Sequence, residues 1–195
     1  MKKGNIIKKE LKEHIPFTGL ATIIAVILIA LTLNTIKPIS ETLFEVFHPL
    51  HVVVSAFVTT AIYYKYKNKI IPAILIGIVG AILIGTLSDV ILPHLEANLL
   101  QLHTHFHLPI IEEPLIILSS AIIGSIFGIA IHKTKLPHFL HVFLSVFASL
   151  FYIIAYSTNL TMLYLILTSI IVFIAVIIPC CLSDIVFPLI FIKKK

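Results

Sequence analysis

Arginine does not occur in this chain, and charged residues of every kind make up only 12% of it. The first absence removes the side chain that grips phosphate bidentately, which argues against lipid-phosphate phosphatase chemistry. The second, together with 59% hydrophobic residues and a mean hydropathy of +1.11, excludes an ordinary soluble domain of 195 residues. Cysteine is confined to the adjacent pair Cys180 and Cys181, which offers no disulfide framework. No Walker A pattern occurs, so any ATP drive has to come from another chain.

What is present in quantity is apolar sequence. Six mainly apolar stretches fall at roughly 16–36, 44–64, 70–92, 113–132, 138–157 and 160–190, each near the about 20 residues that a helix needs to cross the hydrocarbon core. Backbone polar groups in lipid must be satisfied within the segment, so helices are the expected form. The first stretch exceeds an ordinary signal h-region, lacks a small-residue cleavage pattern and follows a mixed Lys/Glu segment, which predicts a retained span.

All 14 basic residues are lysines. If six spans alternate, 13 of the 14 lie on one side: those before the first span, after the second, after the fourth and at the chain's end, with only Lys37 opposite. The positive-inside rule then puts both termini in the cytoplasm. These lysines are scattered between spans and form no basic face interleaved with aromatic residues. They account for the +5 formal charge without nucleic acid and read as contacts to anionic headgroups.

Two motifs occur twice, in the same order. HPLHVVVSAF at 48–57 returns as HFLHVFLSVF at 138–147, and LSDVILP at 87–93 returns as LSDIVFP at 182–188. Apolar matches are cheap in such a composition, so the weight rests on His48/His138, His51/His141, Ser55/Ser145, Asp89/Asp184 and Pro93/Pro188. The expected architecture is an all-α integral membrane protein, one membrane domain over 1–195. Residues 15–93 form a first three-helix repeat, 94–112 an extracytoplasmic loop containing His and Glu, and 113–192 a second repeat. Three spans per half invert the second half relative to the first, a common construction in secondary transporters.

His48 and His51 at i, i+3 share one helix face, as do His138 and His141. With Asp89 and Asp184 they make a nitrogen and oxygen donor set suited to zinc, nickel, cobalt, iron or manganese. Unbroken helices leave the two sets well separated; breaks at Pro49, Pro93, Pro179 or Pro188 could bring them together. The structural alternative is an imidazole–carboxylate pair in each half that fastens neighbouring spans. His94 extends the first set, and Glu96, His103, His105 and His107, with Glu112 and Glu113 following, suggest a metal-capture loop. Cys181, one turn before Asp184, is a soft donor on the cytoplasmic side, although adjacent cysteines also serve as small apolar packing residues. Ser55, Ser88, Ser145 and Ser183 suit hydrogen bonding to histidine or helix carbonyls better than nucleophilic work. Gly124 and Gly128 give a GxxxG packing spacing.

Transport fits these observations better than catalysis: a small permease for a divalent transition-metal cation, whose neutral histidines bind metal and exchange it for protons. The lipid bilayer and the cation are its partners, and a chain this short suits a homodimer or a separate energising subunit. The alternatives are the membrane subunit of a multi-component uptake system and a membrane-embedded metal-dependent hydrolase. The order of His51, Asp89 and His94, covering about a third of the chain, is loosely similar to a family of membrane-bound metal-dependent hydrolases. That pattern's doubled aspartate is here Asp89 followed by Val90, and its arginine before a histidine pair is missing, so no activity is carried over.

Overall fold

The computed structural model describes residues 3–131, 135–157, 161–181 and 185–192. Among these the chain is helical, with no strand. Helix α1 (Lys3–Ile36) passes through a single 3₁₀ turn into α2 (Ser40–Lys67), followed by α3 (Ile70–Thr86), a π-helical turn (Leu87–Ile91) and α4 (Leu92–Leu99). A short α5 (Pro109–Glu112) precedes α6 (Pro114–Ala130), α7 (Lys135–Tyr156), α8 (Met162–Cys181) and the one-turn α9 (Phe187–Ile190).

Among the described residues, three segments are long and apolar enough to cross a membrane: Asn34–Lys67, Ile70–Leu99 and Leu136–Tyr156. Three shorter apolar helical runs, Gly19–Thr32, Pro114–Ala130 and Ile166–Cys180, accompany them. Large apolar side chains such as Ile71, Leu83, Leu115 and Ile126 stand exposed on these helices, as expected where lipid tails are the solvent.

Local chemistry sets the helix ends. Asn68 takes the left-handed conformation (φ 48°) that closes α2, its N–H donating to the Tyr64 carbonyl, and asparagine tolerates that conformation. Lys65 and Lys67 in the last turn of α2 meet the negative end of its dipole. The segment from His94 to Leu99, expected as loop, is helical instead. Its Leu, Glu and Ala are strong helix formers, and the π turn hands the chain on without a stop.

Helix α2 is central and packs most extensively against α6 and α7. Glycine brings α6 in: a Cβ at Gly124 would stand 2.0 Å from the Val53 carbonyl oxygen, and one at Gly128 would stand 2.5 Å from that of Phe57. The GxxxG spacing is thus a backbone-to-backbone contact face. Gly124→Val is expected to push α6 off α2 and destabilise the fold by about 1–3 kcal/mol, read as a lowered thermal midpoint in detergent micelles.

Candidate functional site: buried histidines, an aspartate and a cysteine

Ring contacts set the register of α2 against α7. Phe44 meets Tyr152 at 5.3 Å, Phe47 meets Phe147 at 5.2 Å and His51 meets His141 at 4.5 Å. Partner numbers on α7 fall as those on α2 rise, so the helices run antiparallel. The register brings the two HxxHxxxS segments level, and the second histidine of each pair stacks on that of the other, 19° from parallel. His138 sits edge-on to His141 at 6.0 Å. No broken helix is needed: the separation expected for unbroken spans disappears because the offset between α2 and α7 cancels it.

Asp89 reaches this place from the π turn. The wide turn buries Ser88, Asp89 and Val90 together, and such turns recur at functional sites. In an i→i+5 pattern the Ser88 carbonyl would accept from residue 93, which is proline and has no N–H. The Ser149 hydroxyl on α7 reaches that carbonyl at 3.1 Å, sharing its one proton with the Ser145 carbonyl of its own helix at 2.8 Å.

The carboxylate of Asp89 is fully buried and accepts four hydrogen bonds. His48 Nδ1 donates to Oδ2 at 2.9 Å and His51 Nδ1 to the same oxygen at 2.5 Å. The Ser88 and Ser145 hydroxyls each donate to Oδ1 at 2.8 Å. One carboxylate on the π turn thus ties α2 to α7. This is the imidazole–carboxylate pairing of the structural alternative, present in the first half. Ser145, the repeat partner of Ser55, takes its place beside the aspartate of the opposite motif.

Among the described residues, two groups of buried donors stand where they could hold a metal ion: His48, His51 and Asp89, and His51, His141 and Cys180. Within each group, one donor atom per residue lies within 4.8 Å of the others. His51 belongs to both. Cys180, not singled out by its spacing, is the cysteine of the described group; adjacent residues on a helix point about 100° apart, so spacing to Asp184 does not tell which of the pair faces the histidines. Cys181 ends α8 with its side chain outside the described set, and Asp184 lies outside the described residues.

The remaining sequence candidates stand apart. His94 bonds Asn98 and Thr104 at 2.9 and 2.8 Å and packs against Phe106. Glu96 is buried, and neither of its carboxylate oxygens has a hydrogen-bond partner among the described residues. His103 and His105 are exposed. His107 pairs with Glu112 at 2.8 Å and stacks on Tyr156. The Leu108 N–H, with His107 adding to it, holds the Glu112 carboxyl below the usual range. Phe44 connects this outer pair to the centre, stacking on His48 at 5.4 Å and meeting His107 edge-on at 5.7 Å. His48, His107, Glu45 and Glu113 line one narrow cleft.

The chain matches no protein-family model, no curated protein and no solved structure.

Proposed function

We propose that this chain is a multi-pass protein of the cytoplasmic membrane that moves a divalent transition-metal cation across it, through an intramembrane centre built from its duplicated histidine and aspartate motifs. The observation that carries the reading is the meeting of His51 with His141 at 4.5 Å, which joins the two motif copies in one buried centre. Six spans with both termini cytoplasmic, arranged as inverted halves, agree with the three long and three shorter apolar helices. They agree also with the antiparallel run of α2 and α7. Zinc, nickel, cobalt, iron and manganese are the cations whose preferences include such donors.

A hydrolase needs an open position where substrate and water meet the metal. His48, His51, Asp89, His138 and His141 are each at most 1% exposed, which favours an occluded ion over a substrate held at the lipid interface. Polar groups so deep in an apolar chain are expensive to keep and mark ion pathways more often than packing. Driving force would come from proton exchange at the histidines or from a separate energising subunit.

Purified protein in proteoliposomes is expected to take up zinc or cobalt from the outside, and His51→Ala and His141→Ala to abolish that uptake. Uptake that continues at the wild-type rate in both variants would sink the reading.

A further inference from the structure

Asp89 has the wrong geometry for a metal ligand and the right geometry for the group behind one. Two donors at about 2.0 Å from a tetrahedral ion stand about 3.3 Å apart. Both imidazole nitrogens lie closer than that to Asp89 Oδ2, at 2.9 and 2.5 Å, and its other oxygen is held by two hydroxyls. A carboxylate so bonded fixes His48 and His51 as Nδ1–H tautomers and leaves a lone pair on each Nε2. On His51 that Nε2 is buried and without a hydrogen-bond partner among the described residues, an unfavourable state unless a ligand occupies it. His141 and Cys180 complete the group around His51, all three buried.

We propose that the metal is held by His51 Nε2, His141 and Cys180 Sγ, and that Asp89, with Ser88 and Ser145, is a positioning set that orients His51. The assignment rests on the reading above that this centre handles a metal ion, and it narrows the ion. Two imidazoles and a thiolate suit zinc, and cobalt as its probe, over manganese or magnesium. Bonds of about 2.0 Å to nitrogen and 2.3 Å to sulfur put such donors about 3.3–3.5 Å apart. Atoms now within 4.8 Å therefore close by no more than about 1.5 Å. Asp89 pins His51, so the closing movement belongs to His141 and Cys180. Loading a divalent ion forms the metal–sulfur bond as the Cys180 S–H breaks, and the proton goes to water.

Cobalt(II) titrated into the purified full-length protein in detergent, under reducing conditions, tests the assignment by absorption. Wild type is expected to show a thiolate-to-cobalt charge-transfer band, and Cys180→Ser to lose it. Asp89→Asn is expected to keep the band while cobalt affinity falls about 10–100-fold, the size seen when the group behind a ligating histidine is removed. Ser145→Ala, which leaves the carboxylate in place, is the milder variant in case Asp89→Asn folds poorly; it keeps the band with a smaller loss. A band that survives Cys180→Ser and vanishes in Cys181→Ser overturns the assignment, as does cobalt bound with no thiolate band. Thiolate-bound cobalt without vesicle uptake defeats the transport reading and leaves this site standing. Uptake with cobalt held by nitrogen and oxygen alone does the reverse.

Discussion

Asp89→Ala is expected to lower folding stability by about 3–5 kcal/mol, the cost of removing one partner from a buried charged cluster. The carboxylate accepts from donors on α2, α7 and its own π turn. The hydroxyls have somewhere else to go: Ser88 already approaches the Gly85 carbonyl at 3.3 Å, and Ser145 approaches Ser88 at the same distance. The imidazoles do not, so the loss falls on His48 and His51, each an unpaired buried donor costing about 1–3 kcal/mol. Asp89→Asn should lie between wild type and Asp89→Ala, because a carboxamide keeps one acceptor oxygen. Thermal unfolding in detergent micelles is the measurement. An unchanged midpoint for Asp89→Ala would mean that the carboxylate does not fasten α2 to α7.

His48→Ala and His51→Ala are expected to part company in metal affinity although both side chains bond the same oxygen. Structural zinc sites bind with about 10–16 kcal/mol across four donors, so one donor is worth about 2.5–4 kcal/mol, or about 10²–10³-fold in affinity. That loss is expected for His51→Ala. His48 stands outside the group formed with His141 and Cys180, and His48→Ala should weaken binding by no more than about 10-fold, through the freedom it gives Asp89. Equilibrium dialysis with zinc resolves the two. Equal losses would move the ion to the His48, His51 and Asp89 group.

Much of this centre can be read from the residues alone, for reasons that also mark where such reading stops. Spacing at i, i+3 puts His48 and His51 on one face, and a carboxylate recurring in an apolar segment has to find a partner; Asp89 finds both. The recurrence of serine four residues after the second histidine points to Ser145 as a neighbour of histidine or aspartate. Periodicity says nothing about how far α7 slides along α2, and that offset decides whether His51 meets His141 or stands many ångströms away. The π turn is hidden for a related reason: LSDVI has the composition of any apolar helix, and its one extra residue per turn shows only when Ser88, Asp89 and Val90 are all found buried. Cys180 and Cys181 are indistinguishable until α8 is rotated into place.

The hydroxyl of Ser149, standing in for the amide that Pro93 lacks, has a mechanical meaning. A carbonyl that would ordinarily be closed within its own helix meets a neighbour's hydroxyl, so the π turn and α7 are stitched at a backbone carbonyl as well as through Asp89. Glycine locks α6 to α2 in the same block. Helix α8 contributes none of Asp89's four bonds and packs against α1 and α7, with Val172 and Val176 in the shared apolar core. The stitched helices are then one fixed frame, and α8, which carries Cys180, stands beside it outside the Asp89 knot.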